Sequence, residues 1–211
     1  MFNKLTRITD KLGRVTTYGY DTRGNLTSIT DALNQTMSFS HDQFGKLISV
    51  TDPLGHTSRV EYDTKGDLVA AIDALGNRTT YDYDEIGRAI GSTDPLGRRA
   101  TLHYDPLDRL TASTNSAGAT TQFAYDQNGN LISVTDALGM RWLAVYDVMN
   151  RPISAIDPLG RVSRSEYNAR NELTASISPS GRTVRYTLDQ RGQVISLADP
   201  IGGVVRLTYD N

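Results

Sequence analysis

The residues that most constrain this chain recur every 21 positions, and no insertion or deletion breaks the register. One column reads Asp10, Asp31, Asp52, Asp73, Asp94, Asn115, Asp136, Asp157, Ser178 and Asp199. Three residues later stands glycine, as in Asp94-Pro95-Leu96-Gly97 and Asp136 with Gly139, with Asn34 the one exception. A Tyr-Asp pair forms the second landmark: Tyr62-Asp63, Tyr104-Asp105, Tyr125-Asp126 and Tyr146-Asp147 are examples. A glycine and a leucine follow most of these pairs, as Gly66 and Leu68 or Gly129 and Leu131. Both landmarks put Asp first and Gly last in a four-residue turn. Asp bonds nearby amides, Pro presets φ at the second position and Gly accepts positive φ, so each reads as a type I turn closing a short hairpin loop. Where glycine is missing the substitutes are Asn3, Asn34, Asp108, Asn150 and Asn171. Asn and Asp are the other residues that best tolerate the left-handed region.

Between turns lie segments of six or seven residues rich in Thr, Val, Ile and Tyr, which read as strands. Ala100, Leu102 and Tyr104 share one face, and Arg99, Thr101 and His103 the other. Phe123 with Tyr125 against Gln122 with Ala124, and Tyr81 with Tyr83 against Thr80 with Asp82, repeat this parity. The expectation is an all-β chain: ten hairpins, about 20 strands, antiparallel, forming a long curled or spiral sheet. At the usual interstrand spacing such a ribbon would run about 95 Å and could not stay flat. The whole of 1–211 reads as one repeat array with no separate domain. A propeller of five four-stranded blades is a lesser alternative, because two units make 42 residues.

Composition narrows the function. A net charge of −2 gives no electrostatic footprint for nucleic acid. No cysteine exists for a disulfide, a zinc–thiolate site or a thiol nucleophile. No apolar run is long enough to span a membrane as a helix, and the first residues lack the apolar core of a signal peptide.

The candidates for chemistry have plain structural explanations. Seventeen of the 20 aspartates fall in the two turn columns, where capping accounts for them. Asp126-Gln127-Asn128-Gly129-Asn130 superficially matches a calcium loop, but its glycine is fourth where such loops need it sixth. His41, His56 and His103 occupy different columns and form no ligand pair. No nucleophile elbow or phosphate loop is present, so no catalytic residue, cofactor or metal site is expected. Two features admit binding. Arg59, Arg99, Arg141, Arg164, Arg185 and Arg206 sit on the polar parity, where they either pair with Glu61, Asp82 and Glu166 or meet an acidic partner. The tyrosine column either packs or offers a ladder for stacking surface glycans.

Tyr-Asp-x-x-Gly-x-Leu followed by Asp-Pro-Leu-Gly at this spacing resembles the RHS repeat, also called the YD repeat. The run from Gly129-Asn130-Leu131 through Asp136-Ala137-Leu138-Gly139 to Tyr146-Asp147 carries the resemblance most closely, and it extends over the whole chain. The resemblance implies a structural segment of a bacterial polymorphic-toxin or wall-associated protein, secreted or at the cell surface. In that family the repeats wind into a hollow shell that encloses a toxic domain and helps deliver it. The implied partners are the remainder of a larger RHS protein and its toxin cargo. The alternative is a hairpin-repeat module that binds glycans. The chain starts and stops inside the repeat, so the expectation is a piece of wall without the core segment or the payload.

Overall fold

In the computed structural model, which describes residues 3–210, every turn column folds the same way. At Asp94 the Gly97 amide donates to the Asp94 carbonyl at 2.9 Å, and the Asp94 amide donates to the Arg98 carbonyl at 3.0 Å. The side chain closes the loop: Asp94 Oδ1 accepts from the amides of Leu96 and Arg98, both at 2.9 Å. Among the described residues, the non-glycine residues with positive φ are Asn34, Asp108, Asn150 and Asn171, at 60–66°. They are the substitutes expected from the sequence; the turn that would contain Asn3 reaches Met1 and Phe2, outside the described residues.

The chain divides into two compact units. The first runs to Leu102 and takes in Asn115–Gly118. It holds β1 (Arg7–Thr9), β2 (Val15–Tyr20), β3 (Leu26–Thr30), β4 (Thr36–His41), β5 (Leu47–Thr51), β6 (Thr57–Tyr62), β7 (Leu68–Ile72), β8 (Arg78–Tyr83), β9 (Ala89–Thr93) and the start of β10 (Arg99–Tyr104). The second unit holds the end of β10 and then β11 (Leu110–Thr114), β12 (Thr120–Tyr125), β13 (Leu131–Thr135), β14 (Arg141–Tyr146) and β15 (Pro152–Ile156). It continues with β16 (Val162–Tyr167), β17 (Leu173–Ile177), β18 (Thr183–Leu188), β19 (Val194–Ala198) and β20 (Val204–Arg206). Within each unit every strand pairs antiparallel with its chain neighbour. The propeller is therefore wrong. Blades would end after β4, β8, β12 and β16, yet each of these strands pairs with the next.

The two kinds of hairpin differ in register, and the difference explains the odd period. Across the Asp52 turn the ladder is regular, with Thr51 opposite Thr57 and Ser49 opposite Arg59. Across the Asp63 turn Tyr62 faces Leu68 but Glu61 faces Ala70, so Val69 is an extra residue, a β-bulge. The same shift stands beside Tyr20, His41, Tyr83, Tyr125, Tyr146, Tyr167 and Leu188. Side chains alternate with period two, so an odd repeat would turn each unit over relative to the last unless one residue per unit were left out of the alternation. The bulge does this. Val50 pairs with Ser58, Ser58 shares a face with Val60, and Val60 pairs with Ala71, 21 positions after Val50.

Among the described residues each unit is a single layer, with strand contacts only between chain neighbours. Among the described residues the buried ones are Ala70, Gly91, Ser133 and Ala175, all in one column at the centre of the shorter strands. They lie on the polar face, beneath charged side chains. The apolar parity, with Val60, Tyr81, Phe123 and Tyr186, is half-buried by its neighbours in the sheet.

Candidate functional site

Alternate turns emerge at opposite ends of the strands and give each unit two rims. The Tyr-Asp rim is tied from turn to turn. Tyr62 donates its hydroxyl to the Leu47 carbonyl at 3.1 Å, Tyr83 to Leu68 at 3.0 Å, Tyr125 to Leu110 at 2.9 Å and Tyr146 to Leu131 at 3.1 Å. Tyr20, Tyr167 and Tyr209 make the same bond to the carbonyls of Leu5, Pro152 and Val194. The acceptor always lies 15 residues upstream, two residues beyond the last ladder pair (Ser49 opposite Arg59 in the case of Leu47). In these repeats the tyrosine therefore holds shut the open end of the Pro-Leu-Gly hairpin, whereas His41 and Leu188 fill the slot in two others. This links the leucine and tyrosine columns of the motif, a connection that sequence reasoning did not make. Tyrosine rather than phenylalanine in most slots was the available signal.

Cations cover several of these rings. Lys46 Nζ sits 4.9 Å from the Tyr62 centroid, and the Arg109 and Arg151 guanidiniums lie 4.9 and 4.8 Å from Tyr125 and Tyr167. The same basic side chains reach the next turn: Lys46 donates to the Gly66 carbonyl, Arg109 to Asp126 at 3.0 Å and Arg151 to Asn171 Oδ1 at 3.0 Å. Arg23 bonds the Gln43 carbonyl, Lys65 that of Glu85 at 3.2 Å and Arg170 that of Gln190 at 3.2 Å. Asn130 Nδ2 donates to Asn150 Oδ1 at 2.8 Å. A tyrosine ring bonded at its hydroxyl and capped by a cation offers a poor platform for sugar stacking.

The Pro-Leu-Gly rim has turn-internal bonds. Arg98 Nε donates to Asp94 Oδ2 at 2.7 Å, Asn77 Nδ2 to Asp73 Oδ2 at 2.7 Å, and the His56 ring meets Asp52 at 2.8 Å. Asp136 Oδ1 accepts from the amides of Leu138 and Met140. The third turn position projects outward. Leu12, Leu33, Leu54, Leu75, Leu96, Leu138, Leu159 and Ile201 are 71–91% exposed.

The turn carboxylates are bonded by the amides of their own loops. Asp126 Oδ1 accepts from the amides of Asn128 and Asn130, and its Oδ2 from the Asn130 side chain. The Asn130 side chain, with these amides, holds the Asp126 carboxyl below the ordinary carboxylate range. The Arg151 side chain does the same for Asp147, and the Asp67 amide for Asp63. Asp105 likewise binds the amides of Leu107 and Arg109 and the Arg109 side chain. Tyr104 is half-buried at the end of its strand. No group of three metal-ligating side chains converges among the described residues.

On the polar face the expected acids each meet an arginine, but of the arginines named from the sequence only Arg99 and Arg185 do so, Glu61 being taken by Arg78 and Arg141 bonding Ser133 Oγ. Arg78 forks onto Glu61 at 2.7 Å, Arg99 meets Asp82 at 2.9 Å, and Arg185 stands 3.7 Å from Glu166. These pairs lie over the column of small residues. A methyl group at Gly91 would come within 3.0 Å of Asp82 Oδ2 and 3.1 Å of Arg99 Nη2.

The comparisons with known proteins agree with this geometry. The family model described as Teneurin YD-shell matches residues 1–165, and that described as RHS Repeat matches residues 167–200. No curated protein matches the chain. Among solved structures, the TcdB2-TccC3-Cdc42 crystal structure aligns with a TM-score of 0.62 at 14% identity, covering 91% of this chain and 14% of that one. A TcdB2-TccC3 crystal structure aligns at 0.43 with 15% identity, covering 92% of this chain and 15% of that one. The chain therefore spans about one-seventh of the length of these structures, and at 14% identity the likeness to the first is one of fold. With the shell model matched over most of its length and an unbroken meander of hairpins beneath that match, the chain belongs to the Teneurin YD-shell family.

Proposed function

We propose that this chain is a stretch of wall in a YD-type shell, and that the shell encloses a toxin domain of the same larger protein and helps to deliver it. The observation that carries this reading is the parity-preserving bulge that recurs beside Tyr20, His41, Tyr62, Tyr83, Tyr125, Tyr146, Tyr167 and Leu188. It keeps one face apolar and the other polar from repeat to repeat, as a wall with a distinct inside and outside requires. The role is structural rather than catalytic: the recurrent acids cap turns and the tyrosines tie hairpins. The toxin is the cargo that the RHS resemblance implies, and a secreted or cell-surface location follows from it. Residues 1–211 act as one repeat array within that wall.

The test uses the whole natural reading frame that contains this segment. Its purified product is treated with protease before and after removal of one 21-residue unit, such as residues 126–146. The enclosed domain should survive digestion in the intact protein and become sensitive when the unit is removed. Equal sensitivity of both proteins would defeat the proposal.

A further inference from the structure

One turn of the Tyr-Asp rim carries a chemically labile pair. Of the 11 asparagines in the chain only Asn128 is followed by glycine. Asparagine is among the thermolabile residues, and its loss of ammonia requires the next backbone nitrogen to reach the side-chain amide carbon. A glycine at that next position has no Cβ to obstruct the approach. Asn128 and Gly129 are both exposed. They stand third and fourth in the Asp126 turn, and no other turn of this rim has asparagine third.

The fold both restrains this pair and uses it. The Gly129 amide donates to the Asp126 carbonyl at 3.1 Å, and the Asn128 amide to Asp126 Oδ1 at 2.9 Å. In a type I turn ψ at the third residue is near 0°, which turns the following nitrogen toward the residue's own nitrogen, roughly a third of a turn away from its Cβ. Ring closure needs that nitrogen alongside Cβ, so the turn must open before the reaction can start. The side chain is held as well. Asn128 Nδ2 donates to Asn150 Oδ1 at 3.0 Å, the same oxygen that accepts from Asn130 at 2.8 Å. Asn150 closes the Asp147 turn, so the labile amide is itself one of the bonds joining neighbouring turns.

We propose that Asn128-Gly129 is a deamidation site, gated by opening of the Asp126 turn, whose conversion cuts this joint of the rim. With the turn open, hydroxide removes the Gly129 amide proton and the nitrogen attacks Asn128 Cγ. The N–Cγ bond forms, the Cγ–Nδ2 bond breaks, and the leaving nitrogen takes a proton from water and departs as ammonia. The resulting succinimide adds one water. Attack at Cγ gives aspartate; attack at the main-chain carbonyl gives isoaspartate, whose backbone runs through the former side chain and is longer by one carbon. Either product replaces the Nδ2 donor with a carboxylate oxygen facing Asn150 Oδ1, and two acceptors cannot bond. Isoaspartate also moves the Gly129 amide away from the Asp126 carbonyl. Ammonia is lost to solvent, so refolding does not restore the tie.

The experiment incubates the 211-residue chain at mildly alkaline pH, folded and in guanidinium chloride, and follows each asparagine by peptide mass mapping. Asn128 should convert ahead of every other asparagine, and faster in the denaturant than in the fold. Asn150→Gly, which removes the acceptor of the Asn128 side chain and leaves the Asn-Gly pair untouched, should speed conversion in the folded chain about two- to tenfold, the scale of one net hydrogen bond. Asn34→Gly makes the same backbone change in a turn that has no bond to Asn128, and should leave the rate as in the parent. The converted chains carry an added negative charge and are separated by ion exchange. The isoaspartate fraction should melt below the parent, with Asn128→Asp, which has the charge but not the longer backbone, between the two. Earlier conversion of another asparagine, equal rates in fold and denaturant, an unchanged rate in Asn150→Gly, or an isoaspartate fraction that melts with the parent would each overturn the proposal.

Discussion

The two rims are built on the same loop and held by different means. At Asp94 and at Asp126 the turn geometry and the carboxylate's amide partners are interchangeable. Beyond the loop they diverge. The Tyr-Asp rim adds a bulge, a tyrosine hydroxyl on the carbonyl 15 residues back, and side chains that reach the next turn. The Pro-Leu-Gly rim keeps a regular ladder, turn-internal bonds and a row of outward leucines. A loop motif thus fixes where the chain reverses, and the residues around it decide whether that reversal is joined to its neighbours.

The largest effect should come from breaking parity. Deleting Val69 removes the bulge beside Tyr62 and turns every strand on one side of it over relative to the other. The sharp thermal transition of the strand circular dichroism signal should be lost. Inserting Gly-Ser between Leu96 and Gly97 at the other rim lengthens a loop without touching parity and should cost about 1–2 kcal/mol. If the two variants melt alike, the bulge does not set the faces.

Acid should act on both rims together. Asp73 and Asp126, one per rim, have carboxyls held below the ordinary value, in each case first by the Asn side chain four residues on. A depressed folded-state pKa contributes stability in full above the unfolded value, about pH 4, and that stability is lost as pH falls through the folded value. Unfolding below about pH 4 should therefore be steep. Asp73→Asn and Asp126→Asn should flatten the acid limb to similar extents, because the capping device is the same. A difference between them would mean that the rims differ in the loop itself.

Most of the fold was legible in the sequence because it is written locally. Asp and Gly at fixed offsets specify each turn, and Asn34, Asp108, Asn150 and Asn171 show where left-handed backbone is needed even without glycine. Parity marked the two faces, and the acids expected to meet arginines, Glu61, Asp82 and Glu166, do meet them. The bulge was hidden because it changes no residue type: Val69 looks like any other strand residue. It was nevertheless implied by the odd period, which cannot be kept by alternation alone. The tyrosine bonds were hidden for another reason. They join positions 15 apart that become neighbours only once the register is known. The burial pattern also ran against composition, since the most enclosed residues are small ones under charges on the polar face.

At the tied rim, Tyr125→Phe and Tyr146→Phe keep the ring and remove one hydrogen bond each. Each should cost about 0.5–1.5 kcal/mol in urea unfolding. The two sites lie in successive repeats, so the double variant tests coupling between adjacent ties; additivity within about 0.5 kcal/mol would show that each acts alone. No loss in either variant would remove the hydroxyls from the account of this rim.

A smaller contrast separates Asn34 from Asn150. Both are left-handed, at 60° and 61°. Asn34→Gly should stabilise by a few tenths of a kcal/mol, because glycine adopts this backbone without steric cost. Asn150→Gly gains the same but gives up the oxygen that accepts from Asn128 and Asn130 at 3.0 and 2.8 Å, so it should be neutral to destabilising by about 1 kcal/mol. Equal shifts in Tm for the two variants would show that the turn-to-turn bonds contribute nothing.

The smallest effect belongs to the leucine row. Leu138 is 88% exposed, so little apolar surface leaves water when the hairpin folds. Leu138→Ser should change stability by less than about 0.5 kcal/mol, as a surface substitution away from caps and ladders does. The Asp136 loop would still close through its amides to Oδ1, which do not involve the leucine side chain. A loss comparable to that of Tyr146→Phe would mean that the leucine is packed in solution, and that this rim, like its counterpart, is joined to something beyond its own turn.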